Sequence, residues 1–317
     1  MNPILQAPSS QAIPPPHRLR TPVFALINPK SGAGLALDVE RRLVQRASDH
    51  QVELIVQRTD SAKRDAVASA IEAGAKTIVV VGGDGTISKA ASHAAKKNVD
   101  VGIVPTGTAN LIAKSLAIPE DPMAAVDGLF GRHRLAKIDG MVQNENIAFS
   151  HVSMGTYSRI AQRENCTTKR YLGKFAYLLC ALREVVIGRD WAFEISIDGQ
   201  TQRRRASLIM VANVRPLGIG ELVWGEHIDP SDGALDVCLV RAKGLRRHAS
   251  LFYHAWRGNT AASNEIEYFR ARSTIQVHSI AGLPVRADGE VLNQTMIDIR
   301  LRRAVLSVIV PSTPTGN

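Results

Sequence analysis

Long apolar runs are what this chain of 317 residues most plainly lacks. The nearest candidate, YLGKFAYLLCALREVVIG at 171–188, is interrupted by Lys174, Arg183 and Glu184. A membrane-spanning helix needs about 18–20 predominantly apolar residues, so none is expected. Cysteine is scarce too. Cys166, Cys180 and Cys238 stand apart with no CxxC pair, which argues against a zinc site and against a disulfide framework. Unpaired thiols suit a reducing compartment. The N-terminus has no charged-then-apolar signal order; PSSQAIPPPHRLRTP reads as a Pro-rich, poorly ordered lead over residues 1–20. The cytoplasm is the expected location. Two phosphate-binding signatures are also missing. There is no GxxxxGK[ST], and Gly83-x-Gly85 meets Ser88 where GxGxxG needs its third glycine.

Positive charge, by contrast, is in excess: 39 Lys and Arg against 29 Asp and Glu, a formal +10. It is spread over both halves, with local clusters at 203–205, 241–248 and 300–303. A nucleic-acid binder normally adds a recognisable reading module, and none is present, so no nucleic acid is expected as a partner. A basic face attracted to an anionic membrane surface remains open, beside the plainer reading of solvated charge.

From residue 21 to 136, apolar runs and helical spacings alternate: PVFALI, then 35–50; VELIVQRT, then 62–74; KTIVVVGG, then ISKAASHAAKK; VDVGIVP, then ANLIAKSLAI up to Pro119. Four such alternations with short loops predict a parallel α/β sheet. After a hinge near 133–140 the texture changes. One helix at about 168–187 precedes short runs such as WAFEISIDGQ, RRRASLIMVANV, GALDVCLVRA, STIQVHSI, TMIDIRLRR and AVLSVIV. Residues 137–312 are expected to form an antiparallel β-sandwich, with Asp198-Gly199 as a hairpin signal.

Three glycine turns stand at the carboxyl ends of strands, where open α/β sheets bind ligands: NPKSGAG (28–34), GGDGT (82–86) and PTGTAN (105–110). Glycine lets backbone amides converge on a phosphate. Asp84 would repel that phosphate unless a Mg²⁺ lay between them. The alternative is that Asp84 and Thr86 cap the following helix.

In this order and spacing the motifs resemble the catalytic domain of bacterial-type diacylglycerol and sphingosine kinases. The likeness continues through VANVRPLGIG (211–220), PSDGALDV (230–237) and ADGE (287–290). The resemblance implies an NAD-kinase-like parallel α/β domain followed by a β-sandwich, with the active site in the cleft between them. It implies a lipid kinase using ATP and Mg²⁺, with a lipid acceptor. Asn28, Pro29, Lys30, Ser31, Gly32, Thr59, Gly82, Gly83, Asp84, Gly85, Thr86 and Thr108 would hold the nucleotide. Glu290 would be the general base, with Asp84 orienting Mg²⁺ on the phosphates. Asp229, Asp232 and the carbonyl of Ala234 would hold a structural Mg²⁺. Locally, ADGE also reads as a hairpin turn with a solvated glutamate, and DPSDG as an Asx turn.

Three positions depart from the commonest family pattern: Lys89, Leu111 and His151 stand where Glu or Asn, Asp, and Asn are usual. They put nucleotide preference and acceptor in question. A kinase for a soluble acceptor such as NAD, and a non-catalytic nucleotide-binding regulator, stay open. A homodimer and peripheral contact with the inner membrane face are compatible with the sequence.

Overall fold

The structure is a computed structural model that describes residues 18–29, 34–58, 66–155, 189–218, 220–242, 244–257 and 259–312. The helix expected at 168–187 lies outside these residues, as do Lys30, Ser31, Gly32 and Thr59. Four parallel strands open the fold: β1 Val23–Ile27, β2 Leu54–Arg58, β3 Thr77–Gly82 and β4 Asp100–Pro105, in the order β2-β1-β3-β4. Every residue of β1, β3 and β4 is buried. Their Val- and Ile-rich runs are therefore what a parallel sheet covered on both faces requires.

The covering helices are α1 Ala36–Asp49, α2 Ala66–Glu72, α3 Asp84–Ala95, α4 Leu111–Ser115 and α5 Pro122–Phe130. In α1, Val39, Leu43 and Ala47 recur every fourth residue and are the buried face. In α3 the buried residues are Ile87 and three alanines, Ala90, Ala91 and Ala94, small enough to bring the helix close to the sheet. The sequence reading passed over α5. Its start is marked by Asp121, whose carboxylate accepts from the Ala124 amide, and by Pro122 in the first turn.

The expected hinge at 133–140 is instead part of a strand, β5 His133–Gln143. It leads to β6 Asn146–Ala148 and β7 His151–Gly155. The remaining strands are β8 Trp191–Ile197, β9 Gln200–Ala206, β10 Leu208–Ala212, β11 Leu235–Val240, β12 Ile266–Ala271, β13 Thr274–Ser279, β14 Val285–Ala287, β15 Glu290–Leu292 and β16 Met296–Pro311. One further helix, α6 Gly244–Trp256, was not anticipated. The β8–β9 hairpin turns at Asp198 (φ 49°) and Gly199 (φ 86°), as the Asp-Gly pair predicts.

Two sheets result. The first runs β2-β1-β3-β4-β16-β13-β8-β9, with β5 paired to β16 and β6 to β5; the second is β12-β11-β10-β7-β14-β15. RRRASLIMVANV is two strands rather than one run: β9 belongs to the first sheet and β10 to the second, and the chain crosses at Ser207, whose amide and hydroxyl both donate to the Val240 carbonyl. Conversely, TMIDIRLRR and AVLSVIV join into the single strand β16. It pairs with β13 over its first residues, with β5 from Arg300 to Pro311 across a bulge, and with β4 at Val308 and Ile309. A bulge between Arg302 and Leu306 absorbs the join, with Ala304 at φ 50°. Buried Asp139 of β5 holds that bulge by accepting from the Ala304 amide at 2.7 Å, and it accepts from the Gly233 amide at 2.7 Å.

The parallel layer and the returning end of β16 share one core, in which Leu306, Val308, Ile309 and Val310 pack with β1, β3 and β4. A second core lies between the two sheets, built from residues such as Met154, Phe193, Ile195, Val237 and Ile297. A third lies around Met210, Trp224 and Cys238, with Leu251 of α6 packed against it.

Candidate active site

Adjacent parallel strands deliver the glycine turns to one end of the sheet. The Asn28 amide donates to the Val81 carbonyl at 3.1 Å, and the Thr106 amide to Gly82 at 3.0 Å, so each turn begins in register with its neighbour. Asn28 Nδ2 reaches Thr86 Oγ1 at 3.4 Å. The turns of GGDGT and PTGTAN touch through backbone. A Cβ on Gly107 would lie 2.8 Å from Gly83 Cα, and one on Gly83 would lie 3.3 Å from Gly107 Cα. Both glycines are required by this close approach. Gly85, in contrast, has open space around it.

Asp84 does not cap the helix it opens. One of its carboxylate oxygens accepts from the Asn110 amide at 2.9 Å and the other from Leu111 at 2.6 Å, joining the two turns. Asn110 sits in the left-handed region (φ 51°), with its side chain bonded to both the amide and the carbonyl of Gly107. Burial holds the Asp84 carboxyl above its ordinary range; the Leu111 and Asn110 amides oppose that shift, and the charge of Asp288 adds to it. Leu111 contributes a main-chain amide, so the departure from Asp leaves this contact intact.

Across from these turns stands the β14–β15 hairpin. Asp288 (φ 44°) and Gly289 (φ 87°) form its turn. The local reading of a plain reversal understates Asp288. Its carboxylate accepts from the amides of Phe149 at 2.9 Å, Ser150 at 2.8 Å and His151 at 3.3 Å, from Ser150 Oγ at 2.6 Å, and from Ser88 Oγ of α3. The hairpin is thereby tied to both domains. Glu290, the first residue beyond the turn, meets Lys89 Nζ of α3 at 2.7 Å, and both side chains are 58% exposed. Lys89, Gly85, Ser88, Asp288 and Glu290 line a cleft of about 550 Å³, whose apolar wall includes Met141, Ile147, Ala148 and Leu292.

His151 is buried in the interface. Its Nε2 donates to the Val214 carbonyl at 3.1 Å, and its ring packs edge-on against Trp224. Burial pushes its pKa down to about 4, so the ring is neutral near pH 7 and serves as a fixed donor.

In the loop expected to hold a structural Mg²⁺, both aspartates make contacts within the protein. Asp229 accepts from the Ser231 amide at 2.8 Å and Asp232 from the Ala234 amide at 2.9 Å, both Asx turns. Arg270 supplies the positive charge at Asp232. Among the described residues no three His, Cys, Asp or Glu side chains gather as metal ligands. Each Asp84 oxygen keeps acceptor capacity beyond one amide, and the charge of Asp288 is felt at its carboxylate.

Thr108 lies exposed in the PTGT turn, and Pro29 follows β1 beside Asn28. Asn110 and Ser88 are structural partners of the site that the sequence reading did not single out. Asn110 alone carried a local signal, as Asn is the side chain that best tolerates the left-handed region.

A parallel layer carrying glycine turns faces an acidic hairpin of the antiparallel sheets, which is a two-domain α/β-plus-β fold. A family model for the diacylglycerol kinase catalytic domain matches residues 22–142, and one for the YegS C-terminal NAD kinase beta sandwich-like domain matches residues 150–310. The chain belongs to the bacterial diacylglycerol kinase family that these two domains define. It is 28% identical over 297 residues to a diacylglycerol kinase of Mycobacterium tuberculosis, covering 91% of this chain and 95% of that one. A diacylglycerol kinase of Staphylococcus carnosus is 23% identical over 84% of this chain and 87% of its own. A diacylglycerol kinase crystal structure from Bacillus anthracis str. Sterne superposes with a TM-score of 0.75 at 23% identity, covering 92% of this chain and 97% of that one.

Proposed function

We propose that this kinase transfers the γ-phosphate of ATP to the hydroxyl of a lipid, diacylglycerol or a relative, in the cleft between α3 and the β14–β15 hairpin. The observation that carries this reading is the shared cleft: Glu290 and the GGDGT turn face one another beside an apolar wall. Such a wall suits the upper part of an acyl chain, while a soluble acceptor such as NAD would leave it without a partner.

The residues divide the work as phosphoryl transfer requires, by positioning and charge neutralisation. Amides of Gly83 and Gly85 cradle phosphates, because close backbone approach is open at Gly85. Glu290 accepts the proton of the attacking hydroxyl, and Lys89 orients its carboxylate. Asp288 fixes the hairpin, so Glu290 stays within reach of α3. Asp84 would hold Mg²⁺, which when bound supplies neutralisation of the phosphate charge.

ATP consumption with Mg²⁺, measured over a panel of mixed micelles, tests the reading. Lipid-dependent turnover is expected, falling by about 10²–10⁴ in Glu290→Gln and to a similar degree in Asp84→Asn. Turnover on NAD alone, or ATP binding with no turnover on any acceptor, would overturn it.

A further inference from the structure

Helix α6 is amphipathic in an unusual sense: its outward face is the aromatic one. Ala255 is buried, and Leu251 packs against the core around Met210 and Trp224. On the other side Phe252, Tyr253 and Trp256 are 59%, 49% and 70% exposed. At 3.6 residues per turn, Phe252 and Trp256 stack one turn apart and Tyr253 lies beside them, giving one continuous apolar strip. Single exposed apolar residues need no explanation, but three contiguous large aromatics on one short helix do.

The flanks of the strip carry one sign of charge. Residues 244–257 contain Arg246, Arg247 and Arg257 and no Asp or Glu. Arg257 lies over the Tyr253 ring at 5.7 Å and donates to its hydroxyl at 3.0 Å, bordering the aromatic strip with a guanidinium. At the start of the helix, Arg205, Arg241 and Arg247 line a hollow of about 540 Å³ together with Asp190. Glu267 partly neutralises Arg241, and Glu265 stands 3.7 Å from Arg247.

We infer that α6 lays this protein onto a membrane surface rich in anionic lipid, with Phe252, Tyr253 and Trp256 at the headgroup–acyl boundary and Arg246 and Arg257 on lipid phosphates. Aromatic rings that are apolar in body and polar at the tip settle at that depth, and arginines beside them add attraction to anionic headgroups. A second copy of the chain is a poorer occupant. Each copy carries +10, and facing strips would set arginine against arginine. The surface gives the lipid-acceptor reading a route to its substrate, and rests on that reading only for its purpose.

The test uses the full chain without nucleotide, so failure of the kinase reading does not bear on it. Sedimentation is compared with vesicles of phosphatidylcholine alone and with vesicles containing about 30 mol% phosphatidylglycerol, at low salt. The wild type is expected to bind the anionic vesicles at least about tenfold more tightly, and Phe252→Ser/Trp256→Ser to lose about tenfold of that affinity. Trp191 and Trp224 are only 9% and 7% exposed, so quenching by brominated acyl chains should report Trp256 and vanish in Trp256→Phe. That readout does not depend on the double variant folding. Wild type that fails to bind anionic vesicles, variants that bind like wild type, or tryptophan emission untouched by brominated lipid would each overturn the inference. A dimer in light scattering that the double variant dissolves, with vesicle binding unchanged, would hand the strip to a second copy and overturn it as well.

Discussion

Lys89 and Glu290 are the pair in which this chain is most individual. The contact at 2.7 Å is between two largely exposed side chains, so it contributes little to stability, about 0–1 kcal/mol. Its effect should appear in catalysis instead. Lys89→Gln is expected to leave the melting temperature within about 2 °C while lowering kcat/KM about tenfold, the equivalent of about 1.4 kcal/mol of transition-state binding. An unchanged kcat/KM would reduce the pair to an ordinary surface contact. His151 supports a prediction of the opposite kind. Its folded pKa of about 4 lies below its ordinary 6.5. The neutral ring's contribution is therefore complete above pH 6.5 and is lost as pH falls through the window down to about 4. Urea unfolding should show about 1–2 kcal/mol of extra loss between pH 7 and pH 5, and His151→Asn should flatten that slope. Equal slopes in both proteins would remove His151 as the cause. At this scale Asp84 and Glu290 could be singled out from sequence because each stands inside a compact motif. It could not disclose what Asp288 does, since Ser88 and Phe149–His151 lie far along the chain and meet it only through packing.

Among the elements, the paired turns make the sharpest case. Gly107→Ala would force a Cβ to 2.8 Å from Gly83 Cα and 2.9 Å from Asn110 Oδ1. Main-chain atoms cannot yield as side chains do, so a loss of about 1–3 kcal/mol is expected, with the Asp84 contacts disturbed as well. Gly85→Ala meets nothing within 4 Å and should cost less than about 1 kcal/mol. Any fall in its ATP affinity then measures how closely phosphate must approach. Equal stability of the two variants, by denaturant midpoint, would contradict the packing of the turns. Strands β1, β3 and β4 were legible because burial on both faces leaves Val- and Ile-rich apolar runs. Helix α6 was not, because its aromatic face points outward and so breaks the rule that apolar spacing marks the core. The hinge near 133–140 was read from a change of texture in sequence, and β5 runs through that stretch as one strand paired with β16.

For the whole molecule, β16 decides how many parts unfold. It pairs with β13 over its first residues, with β5 across a bulge and with β4 at Val308 and Ile309, and Leu306 is in the core of the parallel layer. One cooperative transition is expected. All three tryptophans lie beyond residue 190, so their fluorescence follows the sandwich while far-UV circular dichroism follows the entire chain. Coincident midpoints are predicted, and separated ones would show that the sheet does not transmit stability across the join. Leu306→Ala should cost about 2–5 kcal/mol and shift both signals together.

The same strand sets an order of events during synthesis. Val308 pairs with Val101, so the open edge of β4 waits for a neighbour that the ribosome makes roughly 200 residues later, about 10–40 s at ordinary elongation rates. Until then β4, paired with β3 on one side only, is the open edge of the nascent parallel layer. The first half of this protein is thus committed to finishing after the second, and a chaperone that shields strand edges has its natural moment in that interval.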